Sequence, residues 1–331
     1  MHSKLIVNPQ AGRKGGLATN SATLDDVRAA LAAYDIACDV APTSGPGRAT
    51  ALARAAALAR AAALAGYDRV IAAGGDGTVR ETAIGLLGSG AALGIMPLGS
   101  FMNVARMLGI PRDVRGAAGV IAGGELASID VGRAGNCYFL EAAGVGLDAA
   151  LFRHTNKLDG GQWGALGRAI WVAAAYRPRR VVVELDWWTV EIDALMVTIA
   201  NGPYCGASFT VAPEATVDDH QLDVRVYGPM SKLRLLRRLA RPRSTIEGDR
   251  RDGHDGADGR VYSFKARDVR VSAPRPLPGH ADSISIGATP LRFSLIPGAL
   301  AVLVPADLRA RHAALSRPPT HTHIPAEAST S

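Results

Sequence analysis

The stretch Gly74-Gly75-Asp76-Gly77-Thr78 sets one carboxylate and one hydroxyl within a run of glycines. Glycine permits positive φ and close backbone approach, and the unpaired N–H groups at a helix start attract anions. Asp76 alone would repel a phosphate there. A magnesium ion between the two removes the conflict, because a hard cation binds carboxylate and phosphate oxygens together. The stretch reads as a site for metal-bound nucleotide. The plainer reading is a tight strand-to-helix turn with Asp76 or Thr78 as N-cap. The spacing matches neither G-x-x-x-x-G-K-[ST] nor G-x-G-x-x-G, so taken alone it leaves both open.

Such a loop needs a strand before it and a helix after it. Arg69-Val70-Ile71-Ala72-Ala73 is the apolar run, and Val79 to Leu87 carries a helical pattern. Two further strand ends deliver loops in order. Leu5-Ile6-Val7 runs into Asn8-Pro9-Gln10-Ala11-Gly12, and Ile95-Met96-Pro97-Leu98-Gly99-Ser100 precedes Asn103, Ala105 and Arg106. In an open parallel sheet such ends share one edge, where ligands bind. Leu24 to Ala33 predicts a helix, Cys38 to Ala41 a short strand, and Ala49 to Leu64 a long alanine-rich helix with a tandem repeat starting at Arg54 and Arg60. After Gly109-Ile110-Pro111 another helix leads to Ile129-Asp130-Val131, where the first domain is expected to end. Beyond it strand patterns dominate, at Cys137 to Ala142, Arg180 to Leu185, Leu195 to Ala200, Leu222 to Val226 and Asp268 to Ser272.

The ordered loops resemble the catalytic domain of the diacylglycerol kinase family, which includes bacterial lipid kinases and the sphingosine and ceramide kinases. The resemblance runs to about Pro305. It continues through Glu141-Ala142-Ala143-Gly144-Val145-Gly146-Leu147-Asp148-Ala149, Asn201-Gly202-Pro203-Tyr204, Ala212-Pro213-Glu214-Ala215, Asp218-Asp219-His220-Gln221-Leu222-Asp223 and Pro297-Gly298-Ala299-Leu300. It implies an N-terminal Rossmann-like α/β domain of the NAD kinase and diacylglycerol kinase type over residues 1–130. A β-sandwich-like domain would follow over 131–305, with a disordered tail over 306–331. It also implies that Mg-ATP sits between the domains, contacted by Asn8, Pro9, Gln10, Ala11, Gly12, Thr43, Gly74, Gly75, Asp76, Gly77, Thr78, Val79, Arg80 and Ser100. ATP and Mg2+ are the expected cofactors, and a lipid alcohol such as diacylglycerol the expected acceptor.

Family members hold a structural magnesium at the D-D-G-x-L-D turn, which maps onto Thr216, Asp219 and Gln221; a metal-free Asx turn is the alternative. His220 stands where the turn usually has glycine. A second departure touches the chemistry. The family's D-G-E triplet falls on Asp282, Ser283 and Ile284, so the glutamate thought to take the proton from the lipid hydroxyl is an isoleucine. General-base help contributes about 10²- to 10⁴-fold, so Asp282 or His280 would have to replace it. Two functions follow: an ATP-dependent lipid kinase with Asp76 and Asp282 in catalytic roles, or a catalytically impaired ATP-binding regulatory module of the same fold. NAD kinase shares the glycine loop, but the later landmarks resemble lipid kinases.

Composition agrees. With 331 residues and 48% hydrophobic side chains, the chain can bury a sizeable core. Three cysteines without C-x-x-C spacing argue against a disulfide framework or zinc site. Met1 to Val7 lacks a signal-peptide pattern and no run of about 18 apolar residues follows, which places the protein in the cytoplasm. A net charge of +7 with only 5% aromatics favours the inner face of an anionic membrane over nucleic acid, the plain alternative being a basic surface that keeps the protein soluble. A homodimer is compatible with all of this.

Met230 to Arg243 spaces Leu233, Leu236 and Leu239 helically among Arg234, Arg237, Arg238 and Arg241. The simpler reading is a leucine face packed on the sheet with solvated arginines; a membrane-surface helix has the same pattern. Asp249, Asp252, Asp255 and Asp258 recur every three residues, which misses the alternate positions of an EF-hand loop and reads as a solvated insertion.

Overall fold

The computed structural model describes residues 2–9, 11, 13–14, 17–18, 22–43, 58–155, 171–241, 261–308 and 312. The chain divides into two units, one of Met1–Asp130 with Pro297–Ala314 and one that begins at Val131 and runs to Ile296. The expected insertion over 248–260, most of the tail and the first half of the alanine-rich helix lie outside the described residues.

The first unit opens with β1 (Ser3–Val7), the two-residue strands β2 (Arg13–Lys14) and β3 (Leu17–Ala18), α1 (Leu24–Ala32) and β4 (Cys38–Pro42). Helical residues 58–64 (α2) lead to β5 (Arg69–Gly74), α3 (Asp76–Leu86), β6 (Ala92–Pro97), α4 (Asn103–Met107) and α5 (Val114–Gly123). Strands β4, β1, β5 and β6 lie side by side in that order, all parallel. All six residues of β5 are buried, as expected of a strand covered on both faces. Helix α1 starts where Thr23 and Asp26 form a reciprocal capping box.

The chain leaves this unit within β7 (Glu125–Ala134) and returns within β20 (Leu291–Val304). Val302 of β20 pairs beside Leu93 of β6, and the fully buried Asp130 accepts the Gly298 N–H at 2.7 Å. Residues 297–305 therefore belong to the first unit. The sequence assigned them to the second, because the hydrophobic pattern of a closing strand does not say which sheet it closes.

The second unit contains β8 (Cys137–Phe139), β9 (Ala142–Gly146), α6 (Leu147–Thr155), helical residues 171–175 (α7), β10 (Arg179–Leu185), β11 (Thr189–Ala194), β12 (Met196–Ala200) and the short β13 (Tyr204–Cys205) and β14 (Phe209–Thr210). It continues with β15 (Leu222–Tyr227), α8 (Lys232–Leu239), β16 (Val261–Ala266), β17 (Asp268–Ser272), β18 (Pro278–Ala281) and β19 (Ile284–Ala288). One antiparallel sheet runs β11-β10-β17-β20 and the other β16-β15-β12-β9-β18-β19. Val183, Val269 and Phe293 from the first meet Val197 and Val224 from the second in one core, all at 0% exposure. Alternating side chains from two facing sheets make this a β-sandwich.

Candidate nucleotide site and acceptor-side cluster

Parallel register brings the first unit's loops to one edge. Val7 lies beside both Pro42 and Ala73, and Gly74 beside Pro97, so Asn8, Thr43, Gly75 and Leu98 all leave the sheet at its C-terminal ends. Main-chain bonds lock the exits: Asn8 N–H to Ala73 O at 2.9 Å, Thr43 N–H to Val7 O at 2.8 Å and Leu98 N–H to Gly74 O at 2.9 Å. The Asn8 side-chain amide donates to Thr78 Oγ1 at 3.3 Å, tying the first loop to the second. Thr43 is buried with a hydroxyl that has no hydrogen-bond partner among the described residues. Pro9 and Ala11 lie in the turn after β1, where Ala11 N–H bonds Asn8 O at 3.0 Å; Gln10 and Gly12 fall outside the described residues.

The glycines act by close approach. None of Gly74, Gly75, Gly77 and Gly99 takes positive φ, contrary to one part of the sequence argument. A Cβ on Gly99 would stand 2.5 Å from Gly75 Cα, and one on Gly74 would stand 2.5 Å from Thr78 Cβ. The loops after β5 and β6 thus touch backbone to backbone.

Neither Asp76 nor Thr78 is the N-cap of α3. Gly75 occupies that position without a side-chain bond, and Asp76 is the first helical residue. The N–H groups of Asp76, Gly77 and Thr78 precede the first intrahelical bond, which Val79 N–H makes to Gly75 O at 3.0 Å. Val79 is fully buried, so it offers neither donor nor side chain to a ligand. Asp76 instead accepts the Val104 N–H at 3.0 Å, at the first turn of α4. Burial pushes its pKa up, and the N–H groups of Val104, Asn103 and Met102 draw it part of the way back. Met102 reaches this geometry in the left-handed region, at φ 55°. Arg80 is buried and paired with Glu81 at 2.6 Å, and Ser100 O accepts from Arg112 at 2.9 Å. A glycine cradle, helix N–H groups and a carboxylate at one edge are a donor set that fits a magnesium-bound phosphate chain.

The D-D-x-x-L-D turn forms the Asx turn that the sequence offered as the alternative to a metal site. Asp219 Oδ1 accepts the Gln221 N–H at 3.1 Å, an Asx turn, while its Oδ2 meets Lys265 Nζ at 2.5 Å. The same ammonium reaches Asp223 at 3.3 Å. Burial pulls the Lys265 pKa down, but Asp223 and Asp219 outweigh it and leave it raised. The charge that a cation at Asp219, Thr216 and Gln221 would supply is already present as a lysine. His220 adopts φ 59° in the position usually given to glycine.

The second unit gathers a cluster around β9. Asp282, at φ 44°, accepts N–H groups from Leu140 at 2.7 Å, Glu141 at 3.0 Å and Ala142 at 3.1 Å. Both its oxygens hold main chain. His280 lies opposite Gly144 in the β18–β9 register and is 1% exposed. Its Nε2 lies 3.2 Å from Asp148 Oδ2, and its Nδ1 is buried without a hydrogen-bond partner among the described residues. A Cβ on Gly144 would collide with the Asp148 carboxylate, so glycine makes room for the pair. Burial raises the Tyr176 pKa to about 12, aided by the charge of Asp148. Burial also pushes the Cys205 thiol well up, with Glu141, Asp148 and Asp282 adding to it. Asp148 follows the glycine strand four residues after Gly144, and its pairing with His280 appears only in the folded register. Ile284 is 37% exposed at the start of β19.

A parallel α/β unit with phosphate-type loops, followed by a β-sandwich, is the architecture of the diacylglycerol kinase and NAD kinase type. The profile of the diacylglycerol kinase catalytic domain matches residues 2–134, and that of the YegS C-terminal NAD kinase beta sandwich-like domain matches residues 142–304. A Pseudomonas aeruginosa protein named "Probable lipid kinase YegS-like" is 31% identical over 253 residues, 73% of this chain and 78% of that one. The Bacillus subtilis "Diacylglycerol kinase" is 28% identical over 249 residues, 73% and 79% of the two chains. A crystal structure of a diacylglycerol kinase from Bacillus anthracis shares the fold, with TM-score 0.70 at 20% identity over 93% of this chain and 98% of that one. The chain belongs to the diacylglycerol kinase and YegS-like lipid kinase family.

Proposed function

We propose that the protein transfers the γ-phosphoryl group of Mg-ATP to a lipid hydroxyl, with diacylglycerol as the representative acceptor. The observation that carries this reading is the convergence of Asn8, Thr43, the Gly74–Thr78 loop and the Gly99 loop at one sheet edge, joined through Asn8–Thr78 and Asp76–Val104. Phosphoryl transfer depends mainly on positioning and charge stabilisation. Magnesium, when bound, neutralises phosphate charge. The N–H groups of Asp76, Gly77 and Thr78 hold phosphate oxygens, Asp76 supplies a carboxylate toward the metal, and the touching backbones of Gly75 and Gly99 fix the loop that carries Ser100.

The acceptor's proton goes, in this reading, to a group other than Asp282, whose oxygens are both committed to main-chain N–H groups. His280 is the candidate beside it, with Nε2 oriented by Asp148 and Nδ1 without a partner among the described residues; at 1% exposure it would have to be uncovered for the acceptor to reach it. Labelled ATP incubated with diacylglycerol, sphingoid and other lipid acceptors tests the reading. Label entering a lipid product supports it; intact Mg-ATP binding without transfer to any acceptor overturns it. That second outcome would favour a nucleotide-binding regulatory module, the reading to which Ile284 at the family's glutamate position points.

A further inference from the structure

We propose that the outward face of α8 docks the protein on an anionic lipid surface. Helix α8 is Lys-Leu-Arg-Leu-Leu-Arg-Arg-Leu and contains no acid. Its packed side is narrower than its leucine stripe. Leu235, 4% exposed, enters a cluster with Leu147, Leu195, Met196 and Tyr227, and Leu239 packs beside it. Leu233 and Leu236 remain 57% and 52% exposed. The expectation that Leu233 and Leu236 pack on the sheet is therefore corrected: the sheet receives the Leu235 and Leu239 side, two residues round the helix. At 3.6 residues per turn, Leu233 and Leu236 lie on one strip, flanked by the exposed Arg234, Arg237 and Arg241.

Apolar side chains bordered by arginines form the pattern of a helix lying in a bilayer interface, with leucines among acyl chains and guanidinium groups at phosphates. The arginines decide against a second copy of the chain, since pairing two such faces would bring their cationic rows together. Neighbouring charge has the same sign: the Lys232 pKa is lowered, first by burial and then by the nearby charge of Arg177. Helix α8 belongs to the second unit and carries none of the residues of the glycine loops, so the proposal does not depend on their function.

Co-sedimentation of the full chain with vesicles of phosphatidylglycerol and phosphatidylcholine, or of phosphatidylcholine alone, tests the proposal without measuring phosphoryl transfer. Binding to the anionic vesicles is expected to exceed binding to neutral ones and to weaken with salt. The double variants Leu233→Ser with Leu236→Ser and Arg234→Gln with Arg237→Gln should each lower the partition at least about tenfold. All four residues are exposed, and the melting temperature of each variant is measured alongside to show that it is folded; Trp187→Ser, at another exposed site, should bind as wild type. Equal binding by wild type and the leucine variants overturns the proposal. So does binding to neither vesicle, preference for nucleic acid over vesicles, or lipid-free self-association abolished by the leucine changes.

Discussion

The Asp76 carboxylate accepts the main-chain N–H of Val104 at 3.0 Å, so the acidic residue of the glycine loop also holds the first turn of α4. One side chain thereby serves two ends, fixing the loop after β6 and presenting negative charge beside the N–H groups of α3. Burial raises its pKa, which means the folded protein disfavours the ionised form. The stability that protonation confers is present below the unfolded carboxylate pKa and is lost as pH rises through the folded value. Asp76→Asn keeps an oxygen for Val104 and removes the charge. Its melting temperature should therefore exceed that of wild type at pH 7 and converge with it toward pH 3, while Mg-dependent ATP affinity falls. Melting curves across pH, paired with titration calorimetry, read both effects.

Gly75 and Gly99 offer a matched pair of substitutions. A methyl at Gly99 meets Gly75 Cα at 2.5 Å, whereas one at Gly75 meets Gly99 Cα at 3.5 Å. Gly99→Ala should cost about 1–3 kcal/mol through forced backbone movement and weaken nucleotide binding. Gly75→Ala should fold nearly as wild type. Denaturant unfolding of the two variants, with equal losses as the contrary result, checks this reading of the loops.

Lys265 Nζ meets both Asp219 and Asp223 at this turn. Lys265→Met should destabilise by about 3 kcal/mol, since it leaves two partly buried carboxylates uncompensated. The raised Lys265 pKa gives stability that is complete below the unfolded lysine value and lost only as pH climbs through the folded one. Chelation with EDTA should leave the nucleotide-free melting temperature unchanged. A clear drop on chelation would restore the metal to this turn. His220→Gly, relieving a left-handed histidine, should add about 1 kcal/mol of stability.

On the acceptor side, Asp282 and His280 should separate by kind of effect. Asp282→Ala removes the acceptor of three N–H groups and should cost about 2 kcal/mol or more in stability. His280→Asn should reduce transfer by about 10²-fold or more at unchanged ATP affinity, and adding Ile284→Glu should restore part of the loss. Undiminished turnover in His280→Asn would remove it from the chemistry.

The sheet edge that gathers these loops was legible because it depends on local order: apolar strand, turn, helix, three times over. Asp76 and the glycines could be picked out from the order of the three loops, yet their use as contacts between loops could not, since Gly75 meets Gly99 across 23 intervening positions. Lys265 beside Asp219 and His280 beside Asp148 are long-range pairs created by sheet register, which no local pattern encodes. The same holds for α8. Its leucines were visible, but which of them the sheet would cover depended on the rotation of a helix that buries Leu235 and half-buries Leu239.

Titration calorimetry of ATP into the purified protein, with and without magnesium, bears most directly on the glycine-loop site. Binding should require magnesium, fall sharply in Asp76→Ala and survive the Leu233 and Leu236 changes on α8. Magnesium-independent binding, or an Asp76→Ala variant with wild-type affinity, would contradict it.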